Sequence, residues 1–497
     1  MKTFYMLCLL LLSLQVAGQS TSLKATETKP FKDKVKAYEI TSIFTSESGE
    51  TIIARNGRKK FLFDVFNTNS DKIFSEVVKS SRKEKHVGEL FYNNKLNFFT
   101  VYAPKKDERI LFCHTIDLNK KSYSKKTIFE TTVEKKQSLF GSRKNHNTSF
   151  ALSPNGNFFA IATDNIRKNK NSYTIRVYNV TSNKLVYKTA YQESSDRSFT
   201  HNDLYIDDNA NVYSLGKLYV KNHKSKKHQK KTNYQFVLNK ITKEGNTELL
   251  IDLDTEHIRS LRIIPNENSI QLTGFYSEIN ENRIKGACNF MVNTNEFKLD
   301  NKKAQVLPKQ VYDDLYNYRA AKRKKKKNKE LSNFEIDHVL TDSKGNTYLI
   351  AEEFYITQAY VNNGNMGGYW VTTYHYDDIL ILKNTKDGNL EWGRSIFKRA
   401  TSPSYNAFIK NDKLHVILNS GKHLLKKKDG RTKVSRGWFE STSLYDIEYS
   451  ENGDVSYNKI QDNKSKTYYS PYFGAYDMEK FIMISTKGTK KRFMTLE

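Results

Sequence analysis

LKNTKDGNLEW at 382–392 and IEYSENGDVSY at 447–457 follow one pattern: an apolar strand, a turn of Asp, Asn and Gly, then a second strand led by an apolar or aromatic residue. Period-two alternation around such a turn predicts a β-hairpin, because Asn, Asp and Gly adopt the positive-φ conformations that tight hairpins need. DVFNTNSDKIF (64–74), RVYNVTSNKLVY (176–187) and LNKITKEGNTELL (238–250) are further copies. A second turn precedes most of them. It is found at Glu47-Ser48-Gly49, Tyr92-Asn93-Asn94, Pro154-Asn155-Gly156, Asp208-Asn209-Ala210, Asn266-Glu267-Asn268, Ser343-Lys344-Gly345, Lys410-Asn411-Asp412 and Tyr476-Asp477-Met478. Two hairpins per unit give four strands, the arithmetic of a propeller blade.

The units fall at about 38–80, 85–135, 147–192, 200–253, 257–305, 332–398, 403–462 and 470–497. The last is too short for four strands, so a closing blade needs strands from both chain ends, which leaves no free sheet edge. The fold expected is all-β, a β-propeller of seven or eight four-stranded blades, with eight favoured. Tandem β-sandwiches are the competing architecture, since they also show short strands at regular spacing. The Gly-x-x-x-aromatic spacing of Gly388 to Trp392 and Gly453 to Tyr457 predicts a ring folded back over its own hairpin. One insertion interrupts the pattern at about 306–331. There Val311, Leu315 and Tyr318 predict a short amphipathic helix over 308–322, running into consecutive basic residues. YVNNGNMGGY (360–369) reads as a loop projecting from the sixth unit.

Residues 1–18 read as a secretory signal: Lys2, an apolar stretch from Met6 to Leu14, then the small-residue site Val16-Ala17-Gly18. Residues 19–37 form an N-terminal segment and 38–497 a single propeller domain. The expected location is periplasmic or extracellular. No later window reaches the ~20 apolar residues of a spanning helix, so a membrane-spanning chain is not expected. Cys113 and Cys288 fall in equivalent strands of units three apart and should both be free.

The stretch YHYDDILILKNTKDGNLEWGRSIFKR (374–399) resembles a segment of uncharacterised secreted proteins of flavobacterial type, and SPNGNFFAIAT (153–163) is similar to generic propeller repeats. The resemblance implies a secreted β-propeller-like protein. It transfers no catalytic residue.

Charge is the strongest compositional signal. With 82 Lys and Arg against 54 Asp and Glu, the 497-residue chain carries +28. Lys221 to Lys231, Arg319 to Lys329 and Lys422 to Arg436 concentrate it. Lys226, Lys227, Lys230 and Lys231, with Arg323, Lys324, Lys325, Lys326 and Lys327, are the candidate anion-binding residues. Gathered on one face, such runs attract a polyanion, an acidic glycan or an envelope protein. They lack the interleaved aromatics of nucleic-acid binders, so no sequence-specific nucleic acid is expected. The alternative is that they are solvated and only prevent edge pairing.

Specific chemistry is sparse. His375 and Asp377 share one face of a strand, with Asp378 on the other, and form the best local metal or acid/base cluster. Asp207, Asn209 and Asn211 have the spacing that opens a calcium loop, but Val212 stands where such a loop needs Gly, so a hairpin turn is the simpler reading. No cofactor motif occurs, and the absence of Gly-x-Ser-x-Gly argues against a serine peptidase. The expected role is binding or scaffolding. A propeller glycoside hydrolase or lyase, and a ligand-free structural envelope protein, remain as alternatives, because carboxylate pairs from distant strands leave no local signature.

Overall fold

The turns take the conformations their residues allow. Asn93 and Asn94, like Asn411 and Asp412, have φ of 50° and 56°, making two-residue turns whose twist suits the flanking strands. Met478 and Glu479 do the same at 47° and 60° without the usual residue types. The computed structural model describes residues 23–33, 39–132, 148–167, 170–192, 197–220, 234–266, 269–278, 283–326, 329–362, 368–428, 431–434, 441–485 and 490–497.

These turns organise eight blades, over residues 39–79, 84–132, 148–192, 197–251, 257–306, 334–398, 405–462 and 475–496; seven are four-stranded antiparallel sheets, and the four antiparallel strands of the sixth belong to a six-stranded sheet. Within each of the first seven the strands follow in chain order. The eighth is completed by Ala25–Glu27, which pairs antiparallel with Phe493–Leu496 as its outermost strand. The two chain ends thus share one blade, and the sheet edge that either would leave alone is covered.

Eight buried apolar clusters each join two neighbouring blades. Ile52 and Phe98 share the cluster between blades 1 and 2, and Phe99 and Phe159 that between 2 and 3. Val177 with Ile206, Leu215 with Leu272, and Phe275 with Leu349 continue the series. Ile350 with Leu414 and Ile417 with Phe481 bring it to blade 8. Ile53 and Ile482 then join blade 1 to blade 8, so the series closes into a ring. Paired sandwiches would bury two cores, each between two facing sheets; a closed series of eight is a propeller.

The first strands touch between blades 2 and 3, 3 and 4, 4 and 5, 6 and 7, and 8 and 1, which places them around the axis. In five of them the register skips one residue: Thr41, Val87, Asn202, Arg259 and Asp337. A bulge re-aims its side chain, and three of these reach the next blade. The Asn202 amide donates to Leu261 O at 2.6 Å, Arg259 to Phe334 O at 2.7 Å, and the Tyr405 hydroxyl donates to Asp337 at 2.9 Å.

Trp392 does not fold over its own hairpin. Its ring lies against Gly453 in the next blade, where an added Cβ would come within 2.9 Å of it, and its indole N–H donates to Glu451 O at 2.7 Å. Tyr92 covers Gly156 of its neighbour in the same way, with its hydroxyl on Asn155 O. The glycine leaves room for a ring from the preceding blade, so the spacing encodes contact between blades.

The expected single helix is two, α1 (Lys309–Leu315) and α2 (Tyr318–Lys326). Tyr316 is extended, and the Asn317 side chain accepts the Ala320 N–H at 2.9 Å, starting a new helix as an N-cap residue does. Val311 and Leu315 are buried, whereas Tyr318 is exposed. Helix α1 packs on the last strand of blade 6, and Asp314 fixes it there by accepting from Arg394 Nε at 2.8 Å and from Ser395 N at 3.0 Å. Cys113 and Cys288 are free and buried, and burial pushes the Cys113 thiol up to about 11. Among the described residues no helix is long and apolar enough to cross a membrane.

Candidate functional site: the charged rim of the sixth blade

Blade 6 departs from the others in its two middle strands, Thr347–Asn362 and Gly368–Asn384, which are 16 and 17 residues long and pair as far as Asn362 with Gly368. Where the blade passes into this long hairpin, the register jumps from Glu352↔Ile379 to Phe354↔Tyr376. Glu353, Asp377 and Asp378 are left out of the pairing. The Asp-Asp of the sequence is therefore the bulge, and it concentrates carboxylates at one level of the blade.

His375 and Asp377 come together as their spacing predicts. Their closest atoms are 4.0 Å apart, and the Tyr355 hydroxyl donates to Asp377 at 2.9 Å. The Tyr355 ring stacks on His375 at 4.4 Å, and Thr357 Oγ1 lies 2.8 Å from His375 Nε2. Asp378 turns to the other side, where it accepts the Lys398 main-chain N–H at 3.0 Å and pairs closely with Arg399. Burial pushes the Asp378 carboxyl up to about 7; Arg399 opposes this and Glu353 adds to it. The Glu353 carboxyl is also raised by burial, against Arg399. Lys398 is sealed from water and neutralises Glu352 at 2.7 Å, with Tyr376 O and Ser404 Oγ as further acceptors. Asp337, on the inner-strand bulge, has its carboxyl pushed up to about 7 by the surrounding protein, which desolvates it, and by the charge of Glu352, while the hydrogen bond from Tyr405 opposes the rise.

Outside this acidic layer lies a basic one. Thr432–Val434 pairs in parallel with the end of the last strand, Phe397 opposite Lys433, and Leu425–Lys426 pairs with it in turn, extending the sheet to six strands. The third basic run is thereby folded onto blade 6. Four cations surround the Phe397 ring: Arg399 at 4.6 Å, Arg431 at 4.9 Å, Lys427 at 5.6 Å and Lys433 at 5.8 Å from its centroid. Arg431 also donates to Leu315 O at 2.7 Å, tying this layer to the helical insertion. In α2, Lys324 stands 3.8 Å over the Tyr316 ring, lowered in pKa by burial and by Lys329, while Arg323 is exposed. Lys325 and Lys326 continue that helix.

Two of the three basic runs thus meet the His375 and Asp377 cluster at one blade. Lys226, Lys227, Lys230, Lys231 and Lys327 lie outside the described residues. Asp207, Asn209 and Asn211 form a turn: Asp207 accepts the N–H groups of Asn209 and Asn211 at 2.9 and 2.8 Å, and the Asn211 side chain at 2.9 Å. Its oxygens are already taken, as in an Asx-turn. Phe397, Lys398 and Glu352 were not visible as site residues, though Phe397 flanked by Lys398 and Arg399 was a local signal for a ring among cations.

No protein-family profile and no curated protein matches the chain. Among solved structures, a prolyl oligopeptidase B from Galerina marginata is similar at 8% identity and TM-score 0.40, over 90% of this chain and 55% of that one. A prolyl endopeptidase matches at 10% identity and TM-score 0.35, over 70% and 46%. Kuenenia stuttgartiensis hydrazine synthase matches at 10% identity and TM-score 0.32, over 70% and 80%. The chain spans about half the length of these peptidases. At such scores the likeness carries no argument, and the propeller rests on its own sheets and clusters.

Proposed function

We propose that this is an exported binding or scaffolding propeller that takes an anionic polymer, or an anionic partner, on the outer rim of its sixth blade. The observation that carries this reading is the set of four cations around Phe397. Each gains about 0.5–1 kcal/mol from the ring at an exposed site. Like charges roughly 7 Å apart repel by about 0.6 kcal/mol per pair even at the dielectric constant of water. A polyanion laid across them relieves that repulsion, and Arg323 and Lys324 extend the positive surface along α2. Arg399 pairs with Asp378, and Lys427, Arg431 and Lys433 complete the set around the ring.

The glycosidase or lyase alternative needs carboxylates free at the axis. Asp203 and Asp477, on inner strands, instead accept the main-chain N–H groups of Ile263 and Thr45 in the next blade, at 2.9 and 2.7 Å. These two acids are spent on the ring, while Glu335 and Asp337, exposed on the inner strand of blade 6, are the carboxylates that this alternative would use. The binding reading is tested with a variant in which Lys427, Arg431 and Lys433 are all replaced by Ser. It should elute from immobilised heparin at lower salt than the wild-type chain, with a melting temperature lowered only by the loss of the Arg431 tie to Leu315 O and a cooperative unfolding transition retained. Equal elution would remove the rim from the function.

A further inference from the structure

Among the described residues, blades 1, 2 and 7 each hold a buried group of titratable side chains, and their hydrogen bonding separates them. In blade 1, Arg55 pairs with Asp33 and Asp64, so that group carries its own cation. In blade 2 the network is saturated: His114 uses one ring nitrogen on Thr100 at 2.9 Å and the other on Tyr123 at 2.9 Å. Glu84 there accepts from Thr100 at 2.7 Å and lies 3.4 Å from Lys125.

The third group, in blade 7, is incomplete. His415 is in the strand Lys413–Gly421, and Asp446 and Glu448 are in Thr442–Tyr449, which pairs with it. His415 stands directly opposite Glu448, and Asp446 follows two residues away on the same face, turned toward blade 8. Their exposures are 3%, 0% and 6%. The His415 Nδ1 lies 3.1 and 3.0 Å from the two Asp446 oxygens, and one ligand atom from each of the three residues lies within 4.8 Å of the others. Glu448 Oε1 accepts from Lys413 at 2.8 Å, but Glu448 Oε2 is buried with no hydrogen-bond partner. A buried carboxylate oxygen without a partner is costly. The half-exposed Lys413 pairs with Glu448 and the imidazole faces Asp446, in a site closed on one side by the Phe408 ring, stacked on His415 at 5.2 Å and on Tyr476 of blade 8 at 4.5 Å.

We propose that His415, Asp446 and Glu448 bind a divalent transition-metal ion. One imidazole and two carboxylates form a mixed nitrogen and oxygen donor set suited to zinc or manganese. The His415 and Asp446 atoms, about 3 Å apart, already have the spacing of two ligands on metal bonds of about 2.0–2.2 Å, and Glu448, with its ligand atom within 4.8 Å of theirs, closes on the ion by a side-chain adjustment. The ion supplies the missing partner of Glu448 Oε2, balances two carboxylates, and ties the second and third strands of blade 7 beside its contact with blade 8. Lys413 stays on the outer oxygen of Glu448 and orients it. This site is independent of the anion-binding rim.

The test uses the full chain, dialysed against EDTA and then titrated calorimetrically with zinc chloride and, separately, manganese chloride. One site per chain is expected for at least one of the two ions, with a rise in melting temperature. Glu448→Gln keeps the shape and the Lys413 contact, and should bind that ion at least about tenfold more weakly. Uptake equal in wild type and variant would overturn the proposal, leaving an ion-pair network only. If the variant does not fold, the wild-type chain decides: a melting temperature unmoved by saturating zinc and by saturating manganese also overturns it.

Discussion

Arg55 in the first blade and Arg399 in the sixth each stand between two aspartates, yet they do different work. Arg55 holds Asp33 and Asp64 with its side chain only 4% exposed, and Asp33 belongs to the segment that precedes the blade, so the pair fastens the chain start to the ring. Arg399 holds Asp378 and Asp377 with its side chain 44% exposed and shares the Phe397 ring with three other cations. The same three groups are a fastener when sealed from water and part of a charged surface when open to it. Burial decides which, because the interaction is strong and unforgiving only where water cannot replace the lost partner.

The largest effect should come from breaking the sealed pair. Arg55→Ala removes the buried cation shared by Asp33 and Asp64, leaving Asp64 with Lys72 at 2.9 Å, and should lower the unfolding free energy by up to about 3–5 kcal/mol, read from the urea midpoint. Arg399→Ala should cost less, because Arg399 is open to water and Asp378, already raised to about 7, takes up a proton once the cation is gone. Equal losses would break the comparison.

Next is a pair of opposite pH effects. Burial alone would raise the Glu84 carboxyl, but hydrogen bonds from His114 and Thr100 and the charge of Lys125 hold it at about 2. A carboxylate lowered on folding stabilises above its unfolded pKa, so this contribution, up to about 3 kcal/mol, is present above roughly pH 4.5 and lost as the pH falls toward 2. Asp378 is raised to about 7, so its sign is reversed: stability is highest below about pH 4 and falls as the pH rises to 7. Asp337 is raised into the same range, so Asp378→Asn should reduce, without abolishing, the fall of urea midpoints between pH 4 and 7 and leave the acid limb unchanged. A slope of the same size in the variant would remove Asp378 as a contributor.

A smaller effect tests the contact that holds blade 6 to blade 7. Gly453 has φ 82° and the Trp392 ring within 2.9 Å of an added Cβ, whereas Gly345, at φ 80°, meets only Lys386 Cβ at 3.5 Å. Both Gly→Ala changes incur the ~1–2 kcal/mol cost of a left-handed alanine, and Gly453→Ala should cost more because the ring must also shift. Melting temperatures of the two variants check this; equal shifts would mean that Trp392 moves freely.

The fold was legible because its information is local. Period-two strands and turn residues such as Asn93 and Asn94 announce themselves within ten residues, and the short final unit showed that the chain ends must cooperate. The rim was legible only in part. His375 and Asp377 are two residues apart, so strand geometry alone brought them together. The meeting of Lys427, Arg431 and Lys433 with Phe397 depends on a parallel pairing made by an inserted segment, and no periodicity encodes that. Trp392 was misplaced for the same reason: its spacing from Gly388 is local, but the glycine it covers, Gly453, is in the next blade.

The most direct measurement is the salt dependence of heparin affinity for the wild-type chain and for the variant with Lys427, Arg431 and Lys433 replaced by Ser. Each cation that displaces a counterion contributes about one unit to the slope of log affinity against log salt concentration. Removing three rim cations should therefore reduce the magnitude of the slope by about two to three and weaken binding at every salt concentration. A wild-type slope near zero, or one unchanged in the variant, would contradict an anion-binding rim on the sixth blade.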